Sequence, residues 1–293
     1  MINSEKRSST TTISNPQPLS AADFKAWQAL IERHIGVVIA SQSRVFLQLA
    51  LEARMRVLGI SDQAHYYQRL SNVANSRFEW SQLLANLTVQ ETSFFRHPPV
   101  FDFLTNYLQG RLADIGKRPL MLWSAGCSSG EEAYSLAITA FEALHGTEAH
   151  FGVLAGDISE TALAKARTGR YNAKRVTNIP PRLLERYFEF EPLQNSYKVN
   201  AKLAAKVCFT RLNLLALGQE PFVNLDVIVC QNLLIYFRRP KRFEILNQLA
   251  TRLSEGGLLL IGSGEAALWQ HPELVAVANG AAQAFVRKKS CAE

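Results

Sequence analysis

Residues 121–137, MLWSAGCSSGEEAYSLA, decide how the rest of the chain is read. Met121 to Ala125 has the apolar character of a strand buried on both faces. Gly126 to Gly130, GCSSG, is a loop of small residues, and Glu131 and Glu132 open a helix. A strand, a Gly-flanked turn and a helix build a cofactor site at the carboxyl end of an α/β sheet. The spacing argues against a dinucleotide, whose pyrophosphate needs GxGxxG backbone at a helix N-terminus. Two carboxylates directly after the loop would repel a phosphate. They suit a phosphate-free ligand with a positive end, and S-adenosylmethionine, with its α-ammonium and sulfonium, is such a ligand. The two acids also complement the helix dipole, so the other strands must decide.

Downstream, His150 to Gly156 reads as the second strand and ends in Asp157. An acid there, roughly 20 to 30 residues beyond the glycine loop, accepts hydrogen bonds from ribose hydroxyls. Ser159 starts a helix that Gly169 stops. Tyr187 to Glu191 and Ser196 to Val199 are predicted as short strands joined by Pro192 to Asn195. Together they form an antiparallel β hairpin within a small insertion at about 187–207. Val207 to Leu212 is a further strand, leading to Asn213 and Leu214. The clearest strand is LDVIVC, Leu225 to Cys230, an apolar run with one acid near its start. The polar pair Gln231-Asn232 behind it falls at the ligand edge. A helix from Lys241 to Leu253 follows, ending in Glu255-Gly256-Gly257. An apolar strand comes next, and Ala284 to Arg287 reads as a last antiparallel one.

Upstream, residues 20–88 carry helical patterning. Ser20 is a predicted N-cap with Asp23 behind it, and Phe24, Trp27, Leu30 and Ile31 share one helix face. Val45, Leu49, Glu52 and Arg56 share a surface of the next helix, which Gly59 closes. Ser61 is expected to cap a third helix bearing Tyr66, Tyr67 and Leu70. Ser76 to Leu87 forms a fourth, bearing Phe78, Trp80, Leu83, Leu84 and Leu87. Arg44, Arg54, Arg56, Arg69 and Arg77 form either a solvated surface or a basic face for an acidic partner. Between this unit and the sheet lies TVQETSFFRHPPVF (88–101). Phe94 and Phe95 need burial, Glu91 and Arg96 need partners, and Pro98-Pro99 stiffens the exit. The stretch reads as a strap across a domain junction, where ligand sites form. The expected organisation is a disordered leader (1–19), a helical domain (20–88), a connecting strap (89–104) and an α/β domain (105–293).

The net charge of +7 and the pI near 9.3 permit nucleic acid, an anionic membrane surface or an acidic protein, and select none. No apolar run reaches the length of a membrane span, and the N-terminus lacks a secretory apolar core. Cys127, Cys208, Cys230 and Cys291 are scattered, as free thiols of a reducing cytoplasm are. The six histidines show no metal-ligand spacing.

Five stretches carry a resemblance: QETSFFR (90–96), WSAGCSSGEEAYSLA (123–137), GDISETALAKARTGRY (156–171), LDVIVCQNLLIYF (225–237) and GGLLLIGSGE (256–265). Together they resemble the chemotaxis receptor glutamate O-methyltransferases, the CheR type, from about Phe24 to Arg287. The resemblance implies a class I S-adenosylmethionine methyltransferase fold, a Rossmann-like sheet with the small inserted hairpin, behind an N-terminal all-helical domain. It implies methyl transfer to glutamates on the cytoplasmic domain of transmembrane chemoreceptors, with S-adenosylhomocysteine as the product. A cytoplasmic monomer that neither binds nucleic acid nor inserts in a membrane is expected. Carried over by position, the cofactor contacts are Gln90, Thr92, Arg96, Gly126, Glu132, Asp157, Asn213, Leu214, Gln231 and Asn232, with no metal. Arg96 and Tyr236 fall nearest the transferred methyl group.

Three departures stand out. Gln90 replaces the family's usual Asn and Gln231 its usual Arg, which removes a charge from the cofactor's carboxylate end. The short hairpin also lacks the Gly-rich turn of members that tether to a receptor's C-terminal peptide, so no dependence on such a tail is expected. A methyltransferase for RNA or a small molecule, and a non-catalytic receptor-docking protein, are the alternatives of the same fold.

The chemistry fits the residues. A glutamate side chain is ionised at neutral pH and attacks the sulfonium methyl without a general base, in keeping with the lack of a His–Asp or Cys–His pair. Charge is lost in the transition state, which a dry site favours. What remains is alignment. Arg96 can hold a carboxylate in a planar fork, and Tyr236 can fix its second oxygen or steer the cofactor.

Overall fold

The computed structural model describes residues 18–72, 76–87, 92–115, 118–277 and 283–289. Most of the expected leader, and Gln90, lie outside the described residues.

The helical unit opens with α1 (Ala21–Ile35). Ser20 caps it, accepting the Asp23 N–H at 3.0 Å and donating its hydroxyl back to the Asp23 carboxylate. Leu19, expected in the leader, is buried in this unit, and its N–H is held by Gln48. The second helix, α2 (Arg44–Leu58), ends at Gly59. The third, α3 (Gln63–Ser71), is capped one residue later than expected. Asp62 takes that role from Ser61 because its two oxygens satisfy two orphan amides, those of Ala64 and His65. Trp27, Ile31, Leu51, Tyr66 and Leu70 meet Leu83 of α4 (Arg77–Leu87) in one apolar core.

Arg54 does not join a basic face. It is buried and paired with Glu79 through two hydrogen bonds of 2.9 and 2.8 Å. The expected strap also shortens, because Pro98 already begins α5 (Pro98–Ile115). Proline suits a helix's first turn, where its missing N–H leaves no bond unmade.

The α/β domain runs β1 (Leu120–Ala125), α6 (Glu131–Ala143), β2 (Phe151–Asp157), α7 (Glu160–Thr168) and β3 (Arg170–Asn172). Then come α8 (Pro181–Tyr187), β4 (Phe188–Glu191), β5 (Ser196–Val199), α9 (Ala201–Ala204), β6 (Val207–Arg211) and β7 (Leu225–Cys230). It closes with α10 (Arg239–Ala250), β8 (Leu253–Ile261), β9 (Leu274–Val277) and β10 (Gln283–Arg287). Among the described residues, the main sheet has the order β6-β2-β1-β7-β8-β10-β9. β10 is antiparallel to both its neighbours, and the pairings from β6 to β8 are parallel. The chain winds outward from β1 in both directions, so the order reverses between β1 and β7. That crevice is where a doubly wound sheet holds its ligand.

Three local features differ from the sequence reading. β3 adds a third strand to the predicted hairpin, in the order β3-β5-β4. Helix α10 stops at Ala250, and Gly256-Gly257 lie inside β8. There β8 advances from Leu253 to Leu258 while β7 advances from Leu225 to Val227, a bulge that Gly256 permits at φ +65°. β9 has no counterpart in the sequence reading, since four residues are too few to show a period. The lone acid of β7, Asp226, is fully buried at the opposite sheet edge from the crevice. It accepts Arg118 in a fork (2.8 and 2.6 Å), the Met121 N–H and the Ser254 hydroxyl.

Candidate functional site

The carboxyl ends of β1, β2, β6 and β7 open into one cavity of about 1260 Å³, its mouth included. Of the residues expected at the site, Thr92, Arg96, Gly126, Glu132, Asp157, Asn213, Leu214, Gln231, Asn232 and Tyr236 all line it. Gln90 lies outside the described residues.

Asp157 sits at the end of β2 and shapes the loop after β1. One carboxylate oxygen accepts the Ser128 N–H at 2.8 Å and the other the Ser159 N–H at 2.9 Å. The first bond holds Ser128 at φ +49°, a conformation a non-glycine residue adopts at a cost. Burial pushes the Asp157 carboxyl up, and the main-chain N–H groups of Ser159, Ser128 and Ile158 draw it part of the way back. Gly126 stands at φ +98°, a conformation that favours glycine, and a Cβ there would lie 2.5 Å from Leu233 Cδ2, so that side chain would have to shift.

The two acids after the loop part company. Glu132 faces the cavity and accepts the Ser124 hydroxyl at 2.6 Å. Burial pushes its carboxyl up to about 8, opposed by the Ser124 hydrogen bond, reinforced by the Glu265 charge and opposed by Arg96. Glu131 turns the other way. It is buried and held by the Ser129 hydroxyl at 2.7 Å and by Arg175 at 3.2 Å. Arg175 also donates to the Thr92 carbonyl at 2.7 Å, so Glu131 anchors the strap and does not meet a ligand.

The rest of the strap follows. Phe94 is fully buried, edge-on to Tyr171 of β3 and Phe188 of β4. The Phe95 N–H donates to Ser135 of α6 at 3.1 Å. These anchors leave Thr92, Ser93 and Arg96 along the cavity, with the Arg96 side chain exposed at the mouth.

Ile35, Val37 and Leu87 of the helical unit complete an apolar wall. Val37 forms a β-bridge with Phe237, and the Val38 N–H donates to the Tyr236 carbonyl at 2.8 Å. The helical unit therefore holds the turn that bears Tyr236. Periodicity could not reveal this, because the contact joins residues about 200 apart in sequence.

The sequence reading missed Glu265. It is 1% exposed and accepts the main-chain N–H of Asn232 at 2.8 Å and of Ile235 at 3.1 Å. Its signal was the one that singled out Asp157, an acid just beyond an apolar strand at the ligand edge. Cys127 and Cys230 are buried and their thiols pushed well up by that burial. Among the described residues, no group of three metal-ligating side chains occurs.

The cavity fits S-adenosylmethionine. Its lining combines the carboxyl groups of Asp157 and Glu132 with apolar flanks at Ile158 and Leu214, groups of the kinds that a ribose diol, a cationic end and an aromatic base require.

The CheR methyltransferase SAM binding domain matches residues 90–283, and the CheR methyltransferase all-alpha domain matches residues 22–88. The chain is 34% identical over 249 residues to a chemotaxis protein methyltransferase of Escherichia coli (84% of this chain, 85% of that protein). It is 34% identical over 263 residues to the Klebsiella aerogenes protein of the same name (89% of each). It is 32% identical over 246 residues to chemotaxis protein methyltransferase 2 of Pseudomonas aeruginosa (83% and 86%).

Proposed function

Because the chain belongs to the CheR methyltransferase family, we propose that its cavity performs that family's reaction with the residues described above. The protein has the class I methyltransferase fold and is an S-adenosylmethionine-dependent protein-glutamate methyltransferase that methylates chemoreceptors. The observation that carries the residue assignment is the convergence of Glu132, Asp157, Arg96 and Tyr236 on one cavity.

Asp157 anchors the ribose hydroxyls, with its backbone bonds fixing its orientation. Glu132 meets the cationic amino-acid end, and Asn213, Leu214, Gln231 and Asn232 complete the cofactor contacts. Bound S-adenosylmethionine supplies an electrophilic methyl group on a positive sulfur. Arg96, at the mouth, orients the incoming glutamate carboxylate, and Tyr236 steers its second oxygen. The apolar wall of Ile35, Val37 and Phe237 keeps water from the site, which favours a reaction that neutralises charge. No group in the cavity has to remove a proton from the nucleophile.

The partner is the cytoplasmic domain of a transmembrane chemoreceptor, approached by a cytoplasmic monomer, with no nucleic acid involved. No helix among the described residues is long and apolar enough to cross a membrane. The β4–β5 connection is the short turn Pro192–Gln194 with Asn195 left-handed, so we assign no tail-tethering role to it. A pentapeptide from a receptor C-terminus should give no saturable binding by fluorescence titration; a saturable isotherm overturns that assignment.

The assignment of the cofactor site is tested by calorimetric titration with S-adenosylhomocysteine. Asp157→Ala removes two charge-assisted acceptors and should weaken binding roughly 30-fold, about 2 kcal/mol. Unchanged affinity in the folded variant would place the ribose elsewhere.

A further inference from the structure

We propose that Glu265 is a positioning residue for methyl transfer. It holds the 231–236 turn against the cavity from outside the cavity wall, and it is one of the charged groups around Glu132. This rests on reading the cavity as the cofactor site.

Glu265 follows β8, and both its oxygens accept main-chain N–H groups, those of Asn232 and Ile235, as an ionised carboxylate can. Within the turn Asn232 stands at φ +57°, a left-handed conformation that asparagine takes more readily than other non-glycine residues. Gly262 clears the way, for a Cβ there would lie 2.0 Å from Glu265 Oε2 and 3.1 Å from the Asn232 nitrogen. The gripped turn supplies Gln231, Asn232, Leu233 and Tyr236 to the cavity, yet Glu265 is not among the lining residues. An acid outside the cavity wall thus decides where four of its residues stand.

Electrostatics adds a second role. The groups facing Glu132 are the Ser124 hydroxyl, the Glu265 charge, the Arg96 guanidinium, and the thiols of Cys127 and Cys230. Asp157 faces the same Cys127. Burial holds Glu132 protonated until about pH 8, and the Glu265 charge adds to that hold. The sign follows. A cation bound beside Glu132 favours its ionised form, so affinity rises as pH rises through that midpoint. Removing the Glu265 charge moves the midpoint down.

The test is S-adenosylhomocysteine affinity of the intact chain from about pH 6 to about pH 8.5, for the unmutated protein, Glu132→Gln and Glu265→Gln. Methylation of a receptor cytoplasmic fragment is measured alongside. The unmutated protein should bind more tightly towards high pH, and the difference between its profile and that of Glu132→Gln isolates the Glu132 titration. Glu265→Gln should shift that midpoint down by about one pH unit and lower kcat roughly tenfold by loosening the turn. A loss of the same factor at every pH, with the midpoint unmoved, would make Glu265 merely structural and overturn the proposal. So would an unchanged kcat. If Glu265→Gln does not fold, Glu265→Asp keeps the charge but shortens the reach. It should lower kcat with the midpoint retained, and an unchanged kcat again overturns the idea. Failure of the unmutated chain to bind at any pH would instead overturn the reading of the cavity itself.

Discussion

Replacing Arg96 with Ala should lower kcat for receptor methylation by about a hundredfold, while S-adenosylhomocysteine affinity falls much less. Arg96 is exposed and lines the cavity, and the proposed function has it meet the acceptor glutamate. A guanidinium fork aligns a carboxylate through two charge-assisted bonds, each worth about 1.5 to 3 kcal/mol. Losing one such contribution at the transition state, about 3 kcal/mol, corresponds to the expected factor. Arg96→Lys restores the charge but not the plane, and should recover only part of the rate. Arg96 also favours the ionised form of Glu132, so the variant's small loss in cofactor affinity should shrink as pH is raised. Single-turnover transfer to a receptor fragment, beside cofactor titration, separates the effects. A variant with unchanged kcat and a raised KM for the cofactor would assign Arg96 to cofactor binding instead.

Glu79→Ala should cost about 3 to 5 kcal/mol of stability, the range for breaking a buried ion pair. Glu79 takes both bonds of the Arg54 fork and also accepts the Tyr66 hydroxyl at 2.7 Å. Its removal leaves a guanidinium and a phenol without their acceptor inside the core of the helical unit. The strength of that arrangement shows in its partners: the Glu79 hydrogen bond raises Arg54, and burial with the same acid raises Tyr66. Glu79→Gln keeps the volume and one acceptor and should lose less. Urea unfolding reads the difference as a shift in midpoint at constant slope. A loss below about 1 kcal/mol would mean that Arg54 finds water or another partner. The consequence should reach the cavity, because Ile35 and Val37 of the same unit form its wall.

These residues show where sequence suffices. The strands at 120–125 and 225–230 are apolar runs broken by a single polar residue each, Ser124 and Asp226, and each could be placed to within a residue. Caps such as Ser20 and Ser159 and the stop at Gly169 are local chemistry, complete within a few residues of chain. The cavity residues at strand ends were legible for the same reason, since a parallel sheet sends the end of each strand to one edge. Asp157 and the pair Gln231-Asn232 therefore needed no long-range information, whereas Asn213 rested on the resemblance.

Where the sequence reading slipped, several groups competed for one role. Asp62 displaced Ser61 because two amides wanted acceptors. Of the adjacent acids, the resemblance named Glu132 alone, which lines the cavity, while Arg175, 44 residues away, holds Glu131. Arg54 looked like surface charge until Glu79 turned it inward.

The sequence by itself determined the strand order's raw material, the helical unit, the loop chemistry and the family, because each is written in short-range pattern or motif. The tertiary structure decided that Arg175 holds Glu131 away from the cavity, that Glu265 grips the 231–236 turn, and that the helical unit walls the cavity. Those are contacts between distant segments, where burial and competition for hydrogen-bond partners choose among side chains that look equivalent along the chain.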